Sequence, residues 1–190
     1  MARKLLAFLV LFTLLLPAAA LGEATALPYG LALGADAADT EAAFAADAVL
    51  GAVEYQKVDD GNGVVEYVFE NVAIPDTALT ASSLNVQIDQ NNSLKVDRLT
   101  MVSLYLSPAQ DEGIAAFREL LTAMTAALGA PEADPFGQSG VAQYVEWGTL
   151  SASWTTDDVR VSLSLSRMYE ESVNILYSSR VNYDEADLAK

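Results

Sequence analysis

Hydrophobic and polar positions divide the chain into stretches of two different periods. From Ser107 to Leu128 the apolar residues Ile114, Phe117, Leu120, Leu121, Met124 and Leu128 recur at spacings of three, four and seven, while Arg118, Glu119 and Thr122 fall off that stripe. This predicts an amphipathic helix. Ser107 is expected as its N-cap, Pro108 at its first position, Gln110 in a capping box, and Asp111 and Glu112 at the favourable end of the helix dipole. Gly129 closes the helix and Pro131 forbids its continuation. Upstream, Asp36 is expected to cap a second, Ala-rich helix that carries Phe44 and Val49 and ends in Leu50-Gly51-Ala52.

Elsewhere the period is two, the signature of strands with one buried face. Val53 and Tyr55 lead into Asp59-Asp60-Gly61-Asn62-Gly63, read as a turn between strands; Val65, Tyr67 and Phe69 alternate on the way out. A loop with Pro75 precedes Leu84, Val86 and Ile88; a polar turn, Gln90-Asn91-Asn92-Ser93, precedes a strand from Leu94 to Leu106 with Val102, Leu104 and Leu106 on one face. Further on, Val145 and Trp147 are odd-numbered apolar positions whereas Leu150, Ala152 and Trp154 are even. A bulge or tight turn at Gly148-Thr149 would keep both tryptophans in the core and turn Glu146 outward. Val159, Val161, Leu163 and Leu165 alternate with Arg160, Ser162, Ser164 and Ser166, and a last strand directs Val173, Ile175 and Tyr177 inward. A polar tail from Ser179 to Lys190 is expected to fray.

These elements fall into two series. Leu50-Gly51-Ala52 matches Leu128-Gly129-Ala130, Glu66-Tyr67-Val68 matches Gln143-Tyr144-Val145, Leu84 to Ile88 matches Val159 to Leu163, and Val102-Ser103-Leu104 matches Val173-Asn174-Ile175. The offset between partners shrinks slowly and in one direction, as expected of an old duplication with small loop deletions. The fold class expected is therefore α+β: two tandem repeats of a helix plus antiparallel strands, residues 23–106 and 107–178, with the helices packed on one face of an antiparallel sheet. This order of elements and the helix end Leu128-Gly129-Ala130-Pro131 resemble the tandem fold of the β-lactamase inhibitory protein type and the small outer-membrane assembly lipoproteins of similar shape. The resemblance implies a fold; it carries over no partner and no functional residue, and the chain departs from both patterns in having no cysteine.

Ahead of the repeats, Arg3 and Lys4 precede an apolar run from Leu5 to Leu16 and then Pro17-Ala18-Ala19-Ala20-Leu21-Gly22, the pattern of a secretory signal peptide over residues 1–22. Cleavage after Ala20, Gly22 or Ala24 would satisfy the small-residue requirement, and the run is shorter than the ~20 residues a bilayer span needs, which disfavours an uncleaved anchor. The mature chain is thus expected in the secreted or periplasmic space, without a stable membrane span, and its alanine-rich, cysteine-free composition points to a bacterial source. Having no disulfides, each unit must draw stability from a packed core or from its neighbour.

Charge and missing residue types narrow the function. Lys and Arg number 10 against 26 Asp and Glu, for a net charge of −16, so nucleic acid and anionic lipid heads would be repelled. With neither His nor Cys there is no histidine base, thiolate, typical zinc site or redox pair, and no phosphate loop or nucleophile elbow is present. Asp59-Asp60-Gly61-Asn62-Gly63 lacks the ligand spacing of a Ca²⁺ loop; no metal or cofactor is expected. Two functional classes remain: a non-catalytic binding or inhibitor-like module for an extracytoplasmic protein or envelope component, and a secreted hydrolase working with two carboxylates. The first is preferred. Its contact surface would be the sheet face opposite the helices, carrying Asn85, Gln87, Ser103, Tyr105, Arg160, Ser162, Ser164 and Asn174, against the bland reading of an ordinary wet sheet face.

Overall fold

A computed structural model describes residues 27–91, 96–109, 111–168 and 170–181. The signal segment with its cleavage sites, Gln110, residues 92–95 at the end of the expected polar turn and the start of the next strand, and 182–190 of the tail lie outside the described residues, while Gln90 and Asn91, expected in that turn, belong to a strand. The described residues are mixed α/β, with one antiparallel sheet of seven strands and three α-helices among them. In chain order the elements are α1 (Ala37–Ala46), β1 (Tyr55–Asp59), β2 (Val64–Ala73), β3 (Thr80–Asn91), β4 (Val96–Leu106), α2 (Gly113–Leu128), α3 (Gln138–Trp147), β5 (Thr149–Thr155), β6 (Val159–Ser166) and β7 (Ser172–Ser179). Across the sheet the strands run β1-β2-β3-β4-β7-β6-β5. Consecutive strands pair as meanders, and β4 pairs with β7 to join them, with Leu104 opposite Ile175 and Val102 opposite Tyr177.

Alternation decides which face is buried. Tyr67, Val86, Val102, Val161 and Trp154 lie along one line of cross-strand neighbours, with Phe69, Leu84, Leu104, Ile175, Leu163 and Ala152 along the next, and all are buried. Onto this face pack Phe44 of α1 and Phe117, Leu120 and Met124 of α2, with Ile114, Leu121, Leu128 and Val49 half-buried at the margin. Phe44 meets Tyr55, Tyr67 and Phe69 at ring-centroid distances of 5.6, 5.2 and 4.9 Å, while Phe117 meets Phe136 edge-on at 5.9 Å. Edge-to-face pairs of this kind contribute about 0.5–1.5 kcal/mol beyond their burial.

Both long helices depart from the sequence reading at their ends. In α2 the start is Gly113, not Ser107-Pro108: Ser107 donates its backbone N–H to Ser82 Oγ, and Glu112, at the cap position, makes no side-chain cap bond. Glu171, sixty residues downstream, lies against Gly113 and accepts the N–H of Asp111 at 2.7 Å. This carboxylate serves the electropositive helix end in place of a local cap. Asp111 itself takes a left-handed φ of 69°, which is incompatible with helix. Gly129 closes α2 as expected, with φ 85° and its N–H on Thr125 O, and Trp154 Nε1 donates to its carbonyl at 2.8 Å. Asp36 caps α1 as expected, accepting from Asp39 N–H. However, α1 stops at Ala46 because the Asp47 carboxylate takes the N–H groups of Val49 and Leu50; Leu50-Gly51-Ala52 forms a separate 3-10 turn.

The largest correction is at Gln143 to Trp147, expected on a strand and found in helix α3. Gln143-Tyr144-Val145 is therefore helical while its proposed counterpart Glu66-Tyr67-Val68 lies in β2, so that match fails. The parity switch at Gly148-Thr149 is a helix-to-strand junction, with Gly148 left-handed at φ 68° and its carbonyl bonded to Arg167 N–H. Trp147 is consequently 60% exposed and not in the core; Val145 is 80% exposed. Trp154 is 3% exposed, as expected. At the other end, Ser179 still pairs with Val159, and Arg180 N–H reaches Asp158 O, so the expected fraying does not begin at Ser179. Among the described residues no helix is long and apolar enough to cross a membrane.

Candidate binding face

The side chains that alternate away from the core form the second face of the sheet, and strand register fixes their neighbours. One row runs Glu70, Ser83, Tyr105, Asn174, Ser164, Ser151; the next runs Val68, Asn85, Ser103, Leu176, Ser162, Ser153; a third runs Glu66, Gln87, Met101, Ser178, Arg160, Thr155. All eight residues singled out from the sequence fall in these three adjacent rows. They span β3, β4, β7 and β6, a patch four strands wide, or about 14 Å across at the usual strand spacing.

Exposure within the patch is uneven. Tyr105 is 38% exposed, Arg160 and Ser164 are exposed, and Gln87, Ser103 and Ser162 are half-buried. Asn85 and Asn174, which flank the Ser103–Tyr105 stretch of β4, hold their amide oxygens out of solvent without a hydrogen-bond partner among the described residues. Tyr105 and Arg160 are thus the large groups available to a partner. Arg160 makes no ion pair among the described residues; its backbone carbonyl accepts from Ser178 Oγ.

Several members of this face were missed in the sequence. Met101 was masked because Thr100 forms a bulge between the pairs Gln87–Met101 and Ile88–Leu99, which breaks the alternation of β4. Leu176 and Val68 are apolar, and their parity places them among the polar residues of this face. Glu66 and Glu70 on β2 make that side acidic; from β3 to β5 Arg160 is the one charged residue in these three rows, and Gln87 donates to Asp89, just beyond them on β3. From outside the strands, Glu132 reaches the β5 edge: its N–H donates to Ser153 O and its carboxylate accepts from Ser153 Oγ at 2.8 Å. Hydrogen bonds from Thr155 and Ser153, and more weakly the charges of Arg160 and Arg180, hold the Glu132 carboxyl below the usual carboxylate range.

The other displaced titrations lie on the helix side. Glu41 accepts from Tyr67 OH at 2.7 Å and Lys57 Nζ at 2.9 Å, and these bonds lower its carboxyl and raise the Lys57 ammonium. Burial raises the phenols of Tyr29, Tyr67 and Tyr177, the last to about 12. Among the described residues no group of three or more metal-ligating side chains occurs. Glu146, expected to face outward from a strand, is exposed on α3. The acidic loop at Asp59-Asp60 is a turn whose carboxylates accept the N–H groups of Gly61, Asn62 and Val64. Comparison with models of known protein families, with curated proteins and with solved structures gives no match.

Proposed function

We propose that this chain is an exported, non-catalytic binding module whose polar sheet face contacts a protein partner outside the cytoplasm. The observation that carries the reading is the gathering of Tyr105 and Arg160 with uncharged Ser, Asn and Gln side chains on one sheet face, in a chain of net charge −16. Tyr and Arg are the residue types that most often dominate affinity at protein interfaces, and charged residues are depleted at interface centres. A wide, short-side-chain face suits a partner of similar flatness better than a small molecule, which needs concavity.

The architecture behind this face is, in the same reading, a tandem duplication with its helices on one side. The order β1-β2-β3-β4-β7-β6-β5 supports it, because β2-β3-β4 and β5-β6-β7 are meanders meeting at the β4–β7 pair, each preceded by a helix. The resemblance to the tandem inhibitory-protein fold rests on the same order of elements, with α3 as the element that departs from it. The apolar run with Arg3 and Lys4 supports export.

The experiment is capture of partners from the producing cell's envelope and medium on purified mature protein, alongside a Tyr105→Ala/Arg160→Ala double variant. Each substitution is expected to weaken the captured complex by about 1–3 kcal/mol with the fold intact. Equal affinity for parent and double variant would overturn the assignment of the face.

A further inference from the structure

The packing of α2 against the sheet leaves a cavity of about 190 Å³ above the β4–β7 pair. Its floor is Leu104 and Ile175, which face each other across that pair, and its wall is Leu120 and Met124 of α2. Asp76 and Ala127, both exposed, line its mouth, so it communicates with solvent. Its polar lining groups are Asp76 at the mouth, Thr77, whose hydroxyl donates to Ile74 O and accepts from Leu79 N–H, and Tyr177. The Tyr177 hydroxyl has no hydrogen-bond partner among the described residues, in contrast to Tyr29, whose hydroxyl donates to Ala73 O at 3.0 Å. A ligand oxygen or nitrogen would supply that partner. A cavity of about 150 Å³ is enough to admit a benzene-sized guest.

We propose that this cavity is a binding site for a small neutral amphiphile: a single ring, or a chain of roughly six carbons, bearing one hydroxyl that pairs with Tyr177. The occupant is argued from three observations. The volume admits one ring and excludes a drug-sized body, since ordinary ligand pockets run to about 300–1,000 Å³. The Tyr177 hydroxyl, left without a partner among the described residues while that of Thr77 is engaged, matches one polar atom on the ligand. Asp76 at the mouth, on a chain of net charge −16, disfavours a carboxylate head, so a free fatty acid is the wrong partner. This site lies on the core side of the sheet and does not rest on the reading of the polar face.

Binding is tested on the mature protein by calorimetry and by NMR with phenol, 1-hexanol, hexanoate and benzene as probes. Phenol and 1-hexanol are expected to bind saturably, hexanoate at least tenfold more weakly, with intermolecular NOEs to the Met124 methyl. Tyr177→Phe should weaken phenol about five- to twentyfold while leaving benzene unchanged, a contrast that loss of packing would not produce. Ala123→Leu, at a half-buried lining position, should fill the space and abolish binding of all four, and Ala127→Leu at the exposed mouth supplies a second block if the first variant fails to fold. No saturable binding, undiminished binding in a folded blocking variant, or NOEs showing the cavity filled by residues of the chain itself would each overturn the proposal.

Discussion

Phe117→Ala tests the packing of α2 on the sheet. Phe117 has no exposed surface, sits one turn above Leu120 and Leu121, and meets Phe136 edge-on at 5.9 Å, so truncation removes a whole buried ring and one face of an aromatic pair. The transfer and cavity terms for a buried Phe→Ala change come to about 3–5 kcal/mol, within which the lost ring pair accounts for about 0.5–1.5 kcal/mol. With a urea slope of about 2 kcal/mol per molar, the midpoint should fall by about 2 M. The corresponding drop in Tm is roughly 6–20 °C at the usual sensitivity for a chain of this size. Far-UV circular dichroism through a urea titration reads the midpoint. Thr122→Ala, one turn along on the exposed side, should stay within about 0.5 kcal/mol of the parent. A Phe117→Ala protein as stable as Thr122→Ala would show that α2 does not present this face to the sheet.

Further outcomes follow from other contacts. Asp36→Ala should cost about 1 kcal/mol through loss of the cap on Asp39 N–H, read in the same titration. Acrylamide quenching should resolve one accessible and one protected tryptophan; Trp147→Phe should remove the accessible component at little cost in stability, whereas Trp154→Phe should remove the protected one. Glu41 is held below its ordinary carboxyl range first by the Tyr67 hydroxyl and then by Lys57, so its stabilising contribution is present above the unfolded carboxyl range and is lost as pH falls through its lowered value. Glu41→Gln should therefore flatten the acid side of the stability profile, by less than about 1 kcal/mol because the Lys57–Glu41 pair is largely exposed. A variant profile parallel to the parent's would remove this group from the account. Mass spectrometry of protein recovered from the native host should find an N-terminus between Leu21 and Thr25; intact Met1 in the membrane fraction would contradict export with cleavage.

Alternation was legible wherever a strand had one dry face. Leu84, Val86 and Ile88, or Val159 through Leu165, could be oriented by parity alone, and parity was enough to bring Asn85, Tyr105, Arg160 and Asn174 onto one face before strand order was known. It failed where an element buries little: of α3, Tyr144 alone packs, half-buried, against the core. Helix α3 has no buried residue, so Val145 and Trp147 carried no core signal and their odd positions imitated a strand. Caps were legible when local, as at Asp36, and illegible when distant: nothing near Ser107 announces that Glu171 receives the start of α2. A bulge is similarly silent, and the one at Thr100 hid Met101 from the polar face.

The polar face is tested most directly by placing a photo-crosslinking residue at Ser164, exposed on that face, and separately at Thr122, exposed on α2, in mature protein returned to its own envelope. A discrete protein adduct should form from Ser164 and not from Thr122. Excess unlabelled parent should compete it away, whereas the Tyr105→Ala/Arg160→Ala variant should need roughly thirty times more protein or greater, in line with the 1–3 kcal/mol ascribed to each side chain. An adduct from Thr122 alone, or one displaced equally by the parent and the double variant, would contradict the account.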